Sequence, residues 1–488
     1  MSMHNHDTPP SESPASDIPA PVSSAVEETG PEEVLYAAHK KIYVRSTSGI
    51  FARWRWILVW ITQVVFFGLP WLTWNGRQAV WLNLVERKFY VFGWVFWPQE
   101  VLYLSVLLII SAYSLFFFTA IAGRLWCGYA CPQTVYTEIF LWIEEKIEGD
   151  HSARMKLDKA PISGRKFALK TAKYTIWAVF ALWTGVTFVS YFSSMEGLLK
   201  SVPTFGFGPW ERFWIFFYGT FTFVFAGFMR EQVCKYMCPY ARFQSVMFDQ
   251  DTLIVTYDGA RGEPRGVRRK GEDPASRGDC IDCGICVQVC PTGIDIRNGL
   301  QYECIGCAAC VDACDLIMDK LDLPRGLVRY TTENALKRGW GPSETLNHVR
   351  RPRTLIYGTI LLGIIIAFIW GLATRMPLRF DVIRDPFSLG REVSGGMVEN
   401  DYILKVMNLA EEKRSFVISV TGPDGILLVG DNQVTVDPAG NLEVLLQARL
   451  PKPKEGSQSR SDQIYFEVVS TNDPNLQRRK KAVFLYPN

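Results

Sequence analysis

Cys280-Ile281-Asp282-Cys283-Gly284-Ile285-Cys286-Val287-Gln288-Val289-Cys290-Pro291 is followed by Cys304-Ile305-Gly306-Cys307-Ala308-Ala309-Cys310-Val311-Asp312-Ala313-Cys314-Asp315. Both stretches read C-x2-C-x2-C-x3-C, the spacing of a bacterial two-cluster ferredoxin. There each run gives three thiolates to one cubane and its fourth cysteine to the other. The expected ligand sets are Cys280, Cys283, Cys286 and Cys314 for one 4Fe-4S cluster, and Cys304, Cys307, Cys310 and Cys290 for a second. Zinc also uses C-x2-C pairs, but evenly spaced triplets, repeated, fit a tetrahedral zinc site poorly. The second run ends in Cys314-Asp315 instead of Cys-Pro, a departure that bears on potential or exposure and not on ligation. Gly284 and Gly306 leave room for backbone N–H groups to approach cluster sulfur.

The chain has twelve cysteines, and the other four form two like pairs, Cys127-x3-Cys131-Pro132 and Cys234-x3-Cys238-Pro239, 107 residues apart. Each follows a long apolar stretch, as in a duplicated helical hairpin. Residues four apart share a helix face, and a proline tends to end a helix at the residue before it. Two such pairs are therefore able to converge as four thiolates at a membrane surface. Soft thiolates favour Cu(I), zinc or iron–sulfur clusters. A copper site or a redox dithiol is the preferred reading, a third cubane is the rival, and buried structural thiols are the bland alternative.

The 488 residues leave room for several domains. They are 48% hydrophobic and 14% aromatic, with 16 Trp, and the net charge is only +3. Bulk charge thus gives no reason to expect a nucleic-acid partner. Five stretches approach the roughly 20 apolar residues that cross a bilayer: Trp56 to Trp74, Val101 to Gly123, Tyr174 to Phe192, Phe213 to Phe228 (with room to begin earlier) and Leu355 to Ala373. Phe89 to Trp97 is aromatic but too short, and reads as an interfacial segment. Basic residues cluster before the first span, between the second and third, and between the fourth and fifth. This sets the N-terminus, both cysteine pairs and the ferredoxin-like insert inside, and the C-terminus outside. A reducing compartment suits thiols and clusters.

The expected organisation is a disordered tail (1–33), four membrane helices carrying the two C-x3-C-P motifs (34–250), a cytoplasmic ferredoxin-like domain (251–354), a fifth membrane helix (355–375) and a periplasmic β-sandwich (376–488). The last segment has period-2 runs at Tyr402 to Val406, Phe416 to Val420 and Ile464 to Val469, separated by turn signals such as Gly422-Pro423-Asp424-Gly425. No signal peptide is expected. The five histidines are His4, His6, His39, His151 and His348. None falls in a span, so paired-histidine haem has no support. No C-x2-C-H occurs, and no glycine fingerprint marks a flavin or nicotinamide site. Electrons are expected from a separate donor.

The stretches Trp126-Cys127-Gly128-Tyr129-Ala130-Cys131-Pro132-Gln133-Thr134-Val135-Tyr136, Met229-Arg230-Glu231-Gln232-Val233-Cys234-Lys235-Tyr236-Met237-Cys238-Pro239-Tyr240-Ala241-Arg242-Phe243-Gln244, Asp251 to Asp258 and Pro324 to Tyr330, with the cluster runs, resemble the CcoG (FixG or RdxA) family of cbb-type cytochrome oxidase accessory proteins. The resemblance covers about residues 34–488 and implies an immunoglobulin-like C-terminal domain in the bacterial inner membrane's periplasmic space. It also implies reduction of Cu(II) to Cu(I) for assembly of the oxidase copper centre. Carried over, Cys280 to Cys314 hold the clusters that deliver electrons. Cys127, Cys131, Cys234 and Cys238 are the catalytic, copper-handling thiolates. Expected partners are copper ions, an unidentified cytoplasmic donor, copper-delivery and oxidase assembly proteins, and membrane lipid. The alternatives are an electron-transfer subunit feeding a separate reductase, and a non-enzymatic copper carrier or scaffold.

Overall fold

A computed structural model describes residues 41–267, 277–341, 343–345, 350–384, 390–452 and 461–487. The expected disordered tail, with His4 and His6, lies outside the described residues, as do His39, His348 and the basic Arg268, Arg269 and Lys270.

Five helices are long and apolar enough to cross a membrane: Ile50–Trp71, Pro98–Ala122, Gly164–Ser190, Pro209–Met229 and Pro352–Ala373. They coincide with the five stretches read from the sequence, but all five start earlier, by three to ten residues. Prolines at the first helical position open the second, fourth and fifth, where the missing N–H costs nothing. The third starts at a serine cap, Ser163, whose hydroxyl accepts from the Lys166 amide. The second and fifth bury almost none of their apolar windows, so their surface is left for lipid. The third and fourth pack closely through Gly185 and Gly219. A Cβ at Gly185 would lie 2.4 Å from the Ile215 carbonyl oxygen, so only glycine lets these backbones approach.

At one end of this bundle lies the insert. Its strands Ile254–Tyr257 and Val328–Thr331 pair antiparallel and close the loop that carries the eight cysteines. The helix Ala309–Lys320 docks on the first span through Asp312, whose carboxylate accepts from the Ala52 and Phe51 amides at 2.6 and 3.2 Å. A carboxylate from another domain thus caps a membrane helix. Gly49 permits it, since a Cβ there would meet the Asp312 carboxyl.

At the other end sits a sandwich of two antiparallel sheets. One orders Leu427–Val429, Asn441–Pro451, Met397–Asn408 and Leu378–Arg384, with Arg391–Val393 also on Met397–Asn408. The other orders Gln433–Val436, Arg414–Thr421, Ser461–Ser470 and Gln477–Leu485. All three expected period-2 runs are strands, and their alternate residues Tyr402, Leu404, Phe416, Ile418, Ile464 and Phe466 are fully buried between the sheets.

Phe89 to Trp97 departs from the sequence reading. It supplies Lys88–Val91 and Trp94–Phe96 of a three-stranded sheet with Val80–Asn83. Its residues Tyr90, Val95 and Trp97 bury against Met407, Leu409 and Ala439 of the sandwich. The aromatic character that suggests a lipid interface instead serves a contact between two β elements. Glu100, at the start of the second span, pairs with Arg375 at the end of the fifth at 2.6 Å and fixes the same junction.

Candidate functional site

Each C-x3-C-P motif has the same backbone. A span ends, one residue adopts positive φ (Gly123 at 55°, Arg230 at 42°), and a short helical turn carries the first cysteine. The second cysteine is extended and its proline opens a new helix, Pro132–Glu148 or Pro239–Met247. The positive-φ residues sit four places before the first cysteine in both copies, so the duplication extends to local geometry. The cysteines of a pair do not share one helix face, because the turn carrying the first ends before the second, which the following proline holds extended.

The two copies interlock reciprocally. Gln133, after the first motif, donates to the Phe225 and Arg230 carbonyls at 2.9 and 3.1 Å. Tyr240, after the second, donates to the Leu115 carbonyl at 2.9 Å and shares a 2.7 Å bond with Thr119. Gln244 is fully buried; its amide donates to Thr119 and its oxygen accepts from the Cys127 thiol at 3.3 Å. Glu144 receives Arg230 at 2.7 Å, with Lys173 and Arg154 at 3.4 and 3.5 Å. Burial alone would raise this carboxyl, but Arg230, Lys173 and Arg154 hold it at about 2.

These bonds bring all four thiols within electrostatic reach of one another. Burial first, and then Cys131, push Cys127 up to about 12, against the Gln244 hydrogen bond and the Arg124 charge. Burial and then the other three thiols push Cys234 up to about 12. Burial raises Cys131 as well, although the Thr134 and Gln133 amides of the helix it caps oppose this. Burial thus favours the protonated form of Cys127, Cys131 and Cys234, and a metal they bind must displace those protons.

The first motif lies directly on the insert. Gly128 packs so closely on Cys307 that a Cβ would lie 2.8 Å from its Cα and 2.9 Å from the Ile305 carbonyl oxygen. Cys127 packs against the buried cluster that contains Ile305 and Cys307. Arg124, buried, joins three segments: it donates to the carbonyls of Tyr302, Cys304 (3.3 Å) and Ala241 (2.7 Å).

Within the insert, Cys280, Cys283, Cys286 and Cys314 line one cavity, and Cys290, Cys304, Cys307 and Cys310 line a second that Cys286 also borders. Each run places two residues at positive φ, Asp282 and Gly284 in the first, Gly306 and Ala308 in the second. In the second run the Gly306 N–H donates to the Cys304 sulfur at 3.4 Å. Two sets of four cysteines grouped around small cavities fit cubane clusters. Among the described residues no three His, Cys, Asp or Glu side chains gather tightly enough for a single metal ion. That holds for the insert and for the C-x3-C-P thiols alike.

Arg124, Gln244, Asp312 and the Glu144–Arg230 pair were not legible as site residues. A polar residue beside each motif was the available sign, but its partners lie more than eighty residues away.

Comparison with known proteins identifies the parts. Residues 229–333 match a 4Fe-4S dicluster domain, residues 104–148 a 4Fe-4S binding domain, and residues 368–487 the IG-like fold at the C-terminus of FixG. The chain is 38% identical over 434 residues to protein RdxA of Cereibacter sphaeroides, covering 86% of this chain and 91% of that one. The chain belongs to the FixG/RdxA family. It is also 37% identical to the nitrogen fixation protein FixG of Rhizobium meliloti, covering 83% of each. RdxB of Cereibacter sphaeroides is 40% identical over 81% of this chain and 84% of its own length. As a FixG/RdxA-family protein this is a membrane iron–sulfur oxidoreductase with a C-terminal immunoglobulin-like domain.

Proposed function

We propose that this FixG/RdxA-family protein reduces Cu(II) to Cu(I) at the C-x3-C-P thiols, for assembly of the copper centre of a cbb-type oxidase. The observation that carries this reading is the backbone contact of Gly128 with Cys307, which sets the Cys127 loop against a cluster-binding loop. Bound clusters, held by Cys280, Cys283, Cys286 and Cys314 and by Cys304, Cys307, Cys310 and Cys290, supply single electrons, which suit a one-electron metal reduction. Cys127, Cys131, Cys234 and Cys238 bind the ion as thiolates and favour the cuprous product. Arg124 offsets their negative charge, while Gln244 orients Cys127. In this reading the clusters and thiols face the cytoplasm of the bacterial inner membrane and the immunoglobulin-like domain faces the periplasm, an orientation that the clustering of Lys and Arg between the spans supports.

The test is anaerobic. Cluster-loaded protein is reduced, freed of reductant and given Cu(II), while a cuprous chelator and electron paramagnetic resonance are read together. Cu(I) should track cluster oxidation, and should vanish when all four C-x3-C-P cysteines become Ala with the insert's clusters intact. Cluster oxidation without Cu(I) favours the electron-transfer subunit instead. Copper binding without turnover favours the carrier.

A second reading of the thiols has its own support. Two separate 4Fe-4S profiles each enclose one C-x3-C-P pair, and the four thiols are gathered too loosely for one ion. A third cubane at Cys127, Cys131, Cys234 and Cys238 predicts about twelve irons per chain where two clusters predict about eight.

A further inference from the structure

Beside the insert lies a cavity of about 190 Å³, several times larger than the spaces of about 20 and 30 Å³ among the cluster cysteines. Its inner wall includes Pro291, adjoining Cys290, and Ala309, adjoining Cys310. It therefore abuts the ligand loop of the second cluster. On the membrane side stand Trp56 of the first span and Trp142 of the helix Pro132–Glu148, edge to face with ring centroids 6.4 Å apart. Trp142 is half-exposed, and such aromatic pairs mark the lipid headgroup level.

The remaining walls are polar and held in place. The segment from Val44 to Thr47 is pinned by the Arg45 amide on the Gln288 carbonyl at 2.9 Å and by Arg154 on the Val44 carbonyl. Arg55 and Arg154 are 8% and 3% exposed, yet the Nε of each, and the Thr47 hydroxyl, are buried without a hydrogen-bond partner among the described residues. All three residues line the cavity, which puts cationic and hydroxyl-bearing side chains at its wall. Two carboxylates share the lining: Glu138, 3.8 Å from Arg55, and Glu145, which accepts from Ser46 at 2.9 Å. Paired carboxylates disfavour an inorganic anion, and the tryptophans suit a flat ring.

We propose that this cavity is a quinol site, through which lipid-borne quinol feeds the cluster at Cys290, Cys304, Cys307 and Cys310. Both quinol O–H bonds break, the two protons pass to Glu138 and Glu145, and the ring leaves as quinone with two carbonyls. The two electrons go one to each 4Fe-4S cluster, each falling from the oxidised to the singly reduced state. The proposal rests on the iron–sulfur oxidoreductase reading and not on copper.

The test uses full-length, cluster-loaded protein in lipid nanodiscs under argon, with menadiol as donor and cluster reduction read by visible bleaching and electron paramagnetic resonance. Menadiol should reduce the wild-type clusters. Thr47→Val, which removes one donor at nearly constant volume, should slow this about tenfold, and Leu141→Trp, which fills the cavity, should abolish it. Dithionite should still reduce both variants fully, showing that they are folded and loaded. Clusters that stay oxidised under excess menadiol, or variants reduced as fast as wild type, overturn the proposal. Copper is absent throughout, so failure here leaves the Cu(II) reading standing, and loss of that reading leaves this one.

Discussion

Arg124 concentrates the demands of the site on one side chain. It is buried and donates to carbonyls in the cluster-two loop and in the helix after the second motif, so it fixes both thiol loops against the insert. Charge-assisted bonds of this kind contribute about 1.5–3 kcal/mol each. Arg124→Ala should therefore leave the resonance signal of the cluster held by Cys280, Cys283, Cys286 and Cys314 in place. The signal of its neighbour should broaden or disappear. Arg124→Lys should not restore it, because an ammonium cannot span three carbonyls as the guanidinium fork does. Glu144 presents the converse case, an acid kept charged inside a cluster of cations. Its carboxyl sits at about 2, against an ordinary 4.5, so its contribution to stability is complete above about pH 4.5 and is lost as the pH falls towards 2. Glu144→Gln should lower stability at neutral pH by about 3–5 kcal/mol, since it removes the carboxylate facing Arg230 and Arg154 and leaves Lys173 with Glu148 alone. It should also flatten the acid limb of a thermal-denaturation profile taken between pH 5 and 2.

Among elements, the decisive contacts are backbone approaches that glycine permits. Gly128→Ala would place a methyl on the Cys307 backbone, where neither side has a flexible chain end to yield. Overpacking of this sort costs about 1–3 kcal/mol. The first motif should lift from the insert, and electron transfer from reduced clusters to an acceptor at the thiols should slow while cluster content is unchanged. Stopped-flow cluster oxidation measures this directly. Asp312→Ala acts at the other joint. Loss of a helix cap costs about 0.5–2 kcal/mol, and here the cap also ties the insert to the first span. Amide exchange at Phe51 and Ala52 should rise, with the insert's own strand pair Ile254–Tyr257 and Val328–Thr331 remaining protected. Neither joint was readable beforehand. The cysteine spacing dictates local ligand geometry and the apolar runs dictate helices, because both are properties of neighbouring residues. Asp312 on Ala52 and Gly128 on Cys307 join residues separated by 260 and 179 positions, and only the folded chain decides them. Phe89 to Trp97 misled for the same reason: its alternation is short, and its strand partner and the sandwich that covers it are both supplied by other segments.

For the whole molecule, the cysteine-bearing parts and the immunoglobulin-like sandwich lie at opposite ends of five apolar helices. All twelve cysteines lie at one end, in the two motifs and the insert, while the sandwich at the other end contains none. Glu100 with Arg375 ties the second and fifth spans near the sandwich, and Arg351 with Asp249 ties the start of the fifth near the insert, at 2.6 Å each. The bundle therefore holds its two ends in fixed relation, and the single span between the insert and the sandwich predicts that they lie on different sides of a membrane. This polarity can be read with single introduced thiols. Val85, 95% exposed in the turn between the strands Val80–Asn83 and Lys88–Val91, stands at the sandwich end, and Ile162, 92% exposed before the helix Gly164–Ser190, stands at the insert end. In spheroplasts, a membrane-impermeant maleimide should modify Val85→Cys and spare Ile162→Cys, with both labelled equally once the membrane is opened. The opposite pattern would place the clusters and the C-x3-C-P thiols in an oxidising compartment, where paired free thiols tend to form disulfides. A reducing, cytoplasmic supply of electrons to those thiols would then be ruled out together with the cytoplasmic copper chemistry.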